Sequence, residues 1–79
     1  MRNKYSELLV EKVIDELRKA RKEQGISHDK LAEKTGLSRA AISYMEAHKR
    51  MPTLLTCVKI AKALNLKLGD ILNHLEKKI

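Results

Sequence analysis

The stretch from Ser27 to Glu46 leaves a chain of this kind few folds to choose from. Ser27 and Ser38 each precede a short run whose apolar residues recur three or four apart, and Gly36 lies between the two runs. A serine in that place caps a helix, because its hydroxyl accepts an N–H of the first turn. A glycine just past the run supplies the positive φ of a left-handed stop. The spacing predicts helices over about residues 28–35 and 39–47, joined by a turn so short that the second must cross the first. Leu31 and Ala32 face inward, and Ala32 is small enough to allow the crossing. Leu37 plugs the corner, and Ile42 and Met45 bury the inner side of the second helix. Arg39, Ala40, Ser43 and Tyr44 are left on its outer side. Two short helices around a glycine-containing turn make a helix-turn-helix, which serves either as a structural corner or as a reading device.

The rest of the chain has the same period. Val10, Val13, Leu17, Ala20 and Gln24 form one stripe of a first helix over about 4–24, which Gly25 ends; Leu8, Leu9 and Ile14 lie partly off it. Pro52-Thr53 opens a helix over about 54–65 with Leu54, Cys57, Ile60, Ala61 and Leu64 turned to the core. Leu68 opens another with Leu68, Ile71, Leu72 and Leu75 on its apolar face. No segment alternates with the period of a strand, so the expected class is all-α, five short helices forming a single domain over 1–79. A chain of 79 residues buries only about 60% of its unfolded surface. Its one cysteine, Cys57, excludes an internal disulfide and a cysteine-based metal site, and reads as a small buried hydrophobe. A partner chain is the remaining way to add buried surface. Leu55 and Val58 point away from the core, so a two-fold homodimer is expected through the last two helices, with Leu55, Val58, Leu75 and Ile79 at the interface.

Charge narrows the partner. Seventeen Lys and Arg against ten Asp and Glu give +7, spread along the chain rather than gathered in a tail. That balance favours a polyanion through counterion release. No apolar run reaches the roughly 18 residues that span a bilayer, and the N-terminus has no secretory pattern, so a cytoplasmic protein with no membrane partner is expected. His28, His48 and His74 lack metal-ligand spacing, so neither a metal nor another cofactor is expected. There is no nucleophile–base pair, paired acid or glycine-rich phosphate loop, which argues against an enzyme. No small-molecule ligand is evident.

The pattern over about 13–72 resembles the lambda-repressor-like helix-turn-helix family, the Cro or XRE type. The residues that carry the resemblance are Leu17 through Arg21, Gly25-Ile26-Ser27, Leu31-Ala32, Gly36-Leu37-Ser38, Ile42-Ser43 and Glu46. It continues through Lys49-Arg50-Met51-Pro52-Thr53-Leu54, Lys59 through Leu64 and Asp70-Ile71-Leu72. The resemblance implies a five-helix DNA-binding domain and a sequence-specific transcription regulator acting as a homodimer on near-palindromic double-stranded DNA. Arg39, Ala40, Ser43 and Tyr44 would then read bases. His28, Ser38, Lys49 and Arg50 would meet phosphate, and Arg21 and Glu46 would form a structural ion pair. The chain departs from the family at His28, where a phosphate-contacting Gln is common, and at Ala47-His48, where Asn-Gly often makes the turn. Three kinds of regulator fit: a phage-type repressor, a restriction–modification controller, favoured by length, and an antitoxin. The rival from another class is a protein-interaction module, such as an antitoxin or anti-repressor docking a partner.

Overall fold

The computed structural model describes residues 4–78, which form five helices and, among themselves, no strand. They are α1 (Lys4–Glu23), α2 (His28–Thr35), α3 (Arg39–Glu46), α4 (Leu54–Ala63) and α5 (Leu68–Lys78). α2 packs on α3 and α4, while α1 packs on α3, α4 and α5.

The starts and stops follow local chemistry. Ser27 Oγ accepts the Lys30 N–H, Ser38 Oγ that of Ala41 and Thr53 Oγ1 that of Thr56, at 3.0 to 3.1 Å. α1 ends with Gly25 at φ +69°: its N–H bonds to the Lys22 carbonyl, and the Ile26 N–H reaches the Arg21 carbonyl. The same paired bonds close α3 around His48 (φ +59°) and α4 around Asn65 (φ +60°). His48 thus takes the left-handed place for which the resemblance implied a Gly, so the departure at Ala47-His48 leaves the turn intact. Gly36 is left-handed at φ +76°. A Cβ there would meet nothing within 4 Å, so backbone conformation, not crowding, is what favours glycine.

The core draws on every helix: Val13, Ile14 and Leu17 from α1, Leu31 from α2, Ile42 and Met45 from α3, Cys57, Ile60 and Ala61 from α4, Leu64 just past it, and Leu75 from α5. Ile14, expected partly off the stripe, is fully buried, and the Leu9 side chain packs against the same cluster. α1 has neighbours on more than one side, so more than one of its stripes is covered. Gln24 is exposed, yet its amide donates to the Leu64 carbonyl at 2.8 Å and ties the end of α1 to that of α4.

Two expectations need correction. Leu54 is 71% exposed rather than in the core, because it lines the open apolar groove between α1, α4 and α5 instead of closing over it. Leu75, expected at a dimer interface, is 5% exposed. It continues the α5 stripe that faces α1, and burial within the chain uses it up. Ile79, expected at the same interface, lies outside the described residues.

Substitutions should rank accordingly in urea unfolding. Leu31→Ala, at a fully buried site, is expected to cost about 2–5 kcal/mol. Gly36→Ala, which meets open space and loses only backbone freedom, is expected to cost about 1–2 kcal/mol.

Candidate nucleic-acid interface

α3 is oriented by what it buries. Ile42, Met45 and Glu46 point into the molecule, so the opposite side faces out. Glu46 is the polar member of that inner face and accepts from two other helices. Arg21 Nε donates to Oε2 and Arg21 Nη2 to Oε1, both at 2.8 Å, a two-pronged pair between α1 and α3. Arg21 Nη1 donates to the Ile26 carbonyl at 2.7 Å, binding in the turn before α2. Arg18 Nε lies 3.7 Å from Oε1.

His28 joins this cluster. Its Nε2 stands 2.9 Å from Glu46 Oε1. A carboxylate only accepts, so Nε2 carries the proton of this bond. The resemblance implied a phosphate contact for His28; here that nitrogen is spent on Glu46, leaving only Nδ1 for anything outside. Burial alone would push the Glu46 carboxyl up. The hydrogen bonds from Arg21 and His28 and their charges outweigh it and hold the carboxyl below its ordinary value of 4.5.

The outer side of α3 holds Arg39 and Ala40, both exposed, with Ser43 half-buried beside them and Tyr44 46% exposed. No other described helix covers that side. Ser38 caps the helix through its oxygen lone pair, and its O–H can still donate outward. Lys49 and Arg50 are exposed in the loop after α3. The Arg50 guanidinium lies over the Tyr44 ring, 5.6 Å from its centre, so Tyr44 supports a cation as well as facing outward. The loop is anchored by His48, whose Nε2 stands 2.8 Å from Asp15 Oδ1 on α1. Arg39 Nε lies 3.5 Å from Asp29 Oδ1 on α2. Sequence reading passed over Asp15 and Asp29. Asp29 stands in the first turn of α2, a place an acid takes without any partner, and nothing local points to Asp15.

A second surface lies at the start of α4, where Leu55 is 62% and Val58 45% exposed, with Met51 and Leu54 nearby in sequence and also exposed. Beside it an apolar groove of about 170 Å³ is lined by Val10, Val13, Pro52, Leu54, Cys57, Leu68 and Leu72. Burial pushes the Cys57 thiol up, which keeps it protonated and a poor nucleophile. Among the described residues no three His, Cys, Asp or Glu side chains are placed to share an ion, and no helix is long and apolar enough to cross a membrane.

Comparisons with known proteins bear on this arrangement. The sequence profile of the helix-turn-helix family matches residues 17–71. Over 47 residues the chain is 36% identical to an uncharacterized HTH-type transcriptional regulator, YgzD, of Bacillus subtilis (strain 168), covering 60% of this chain and 71% of that protein. No solved structure matches the chain.

Acid should act through Glu46. Its folded-state affinity for a proton is lowered, so its contribution is complete above about pH 4.5 and is lost as pH falls further. Thermal midpoints should fall below that pH in the wild type and fall less in Glu46→Gln. At neutral pH Glu46→Gln should be less stable by about 3–5 kcal/mol, because it leaves the buried Arg21 guanidinium without its counter-charge.

Proposed function

We propose, from the premise that this chain belongs to the lambda-repressor-like, Cro/XRE-type helix-turn-helix family, that it is a transcription regulator binding double-stranded DNA sequence-specifically as a homodimer. The observation that carries the reading is the uncovered outer side of α3, with its positive helix start, serine cap and guanidinium. The major groove admits one helix and shows a distinct donor and acceptor pattern for each base pair. Arg39 has the reach and the paired donors for guanine O6 and N7. Ala40 suits a thymine methyl, and Ser43 and Tyr44 reach base edges deeper along the same side. Ser38, Lys49 and Arg50 set the register by gripping phosphate. His28 has only Nδ1 left for such a contact and is the weakest member of that set.

The exposed leucine and valine of α4 support a two-fold partner at Leu55 and Val58. Such a dimer would hold two reading helices about 34 Å apart, one turn of duplex, on a near-palindromic site.

Selection of bound duplexes from a randomised library at fixed salt tests the reading, and it should return two related half-sites. Arg39→Ala should relax preference at one position of each half-site by about 1–3 kcal/mol. Lys49→Ala should weaken all duplexes alike and reduce the salt slope by about 1. Variants that leave every duplex affinity unchanged would point instead to a protein-docking module. Leu55→Glu with Val58→Glu should shift sedimentation from dimer to monomer while helix content is kept.

A further inference from the structure

The DNA-facing side of this fold carries a carboxylate. Asp29 Oδ1 lies 3.5 Å from Arg39 Nε, and both side chains are well exposed. A negative group beside a surface that approaches a polyanion lowers affinity for every duplex. Asp29 sits in the first turn of α2, where unpaired N–H groups and the helix dipole favour an acid, so its place does not depend on Arg39. The short turn around Gly36 then brings the start of α2 beside the start of α3.

As an exposed pair in the free protein, this contact contributes little to stability. Its effect arises when a duplex covers it and water is displaced, because the attraction strengthens as the local dielectric falls. A guanidinium presents its donors in a planar fork. A carboxylate on the Nε edge leaves the terminal Nη1 and Nη2 edge for guanine O6 and N7. It also competes with phosphates for the same cation. The geometry points to Asp29 as a positioning residue that sets specificity: it holds Arg39 by Nε so that the terminal nitrogens read guanine rather than the backbone. This inference rests on the base-reading role proposed for Arg39.

Its signature is a pair of changes with opposite sign. Neutralising Asp29 removes one negative charge from the binding surface and raises affinity for any duplex, yet it loosens Arg39 and lowers discrimination. A residue that only stabilised α2, or only repelled DNA, would change all duplexes alike.

The test uses the best duplex from the randomised library, its single-base variants and an unrelated duplex, all at one salt concentration. Arg39→Ala should lose about tenfold or more of the preference at one base pair. Asp29→Asn should lose about threefold or more at that same base pair and gain about twofold on the unrelated duplex. Asp29→Ser, which keeps an oxygen acceptor at the helix start, should do the same, with melting curves confirming that both variants fold. Adding Asp29→Asn to Arg39→Ala should leave the base profile unchanged. An Asp29→Asn profile identical to wild type, beside a flattened Arg39→Ala profile, overturns the positioning role and leaves DNA reading intact. An Arg39→Ala profile identical to wild type overturns both, because the reading on which the inference rests has failed.

Discussion

One buried carboxylate organises the half of the molecule that faces outward. Glu46 closes α3 and takes donors from Arg21 on α1 and His28 on α2, while the remaining arm of Arg21 holds the turn between those two helices. A lone charge at that depth would be strongly destabilising; one whose lone pairs are filled from two directions is tolerated and specifies geometry. With Glu46, Ile42 and Met45 all required inside, α3 has no freedom to roll about its axis. Its opposite side, with Arg39 and Tyr44, is thereby turned to solvent.

The same economy governs the turns. α1, α3 and α4 all end in one hydrogen-bonded pattern, but only α1 uses glycine for the left-handed residue; α3 uses His48 and α4 uses Asn65. His and Asn are among the side chains that adopt this conformation most readily. At position 48 the side chain has a second consequence. Its bond to Asp15 fastens to α1 the loop that bears Lys49 and Arg50, so the cations beside α3 rest on a helix that packs on three others.

The two exposed surfaces differ in chemistry. The outer side of α3 is polar, and its long side chains already have partners on the protein, Asp29 for Arg39 and Arg50 for Tyr44. Groups held this way lose less freedom on meeting a ligand. The start of α4 is apolar, with Leu54, Leu55 and Val58 exposed outside the core. Polar groups on one surface suit hydrogen-bonded reading, and the apolar ones suit burial against another chain.

Local pattern carried most of the fold. Serine and threonine caps, a glycine at the turn and apolar residues at helical spacing are short-range chemistry, so the five helices, the caps of α2, α3 and α4 and the stops after α1 and α2 could be read from residues a few positions apart. The Arg21–Glu46 pair was legible through resemblance, because the two residues stand in a spacing that the family shares. What could not be read was the competition among distant groups for the same space or the same proton. The position of His28 suggested an outward donor, but a carboxylate 18 residues away occupies its ring nitrogen. Leu75 and Leu54 have the same apolar character and opposite fates, since burial depends on which helices reach them, and that is a property of packing rather than of the residue. Asp29 and Asp15 were silent for the same reason: a carboxylate acquires a role from the cation or imidazole brought beside it, and only the folded chain brings them together.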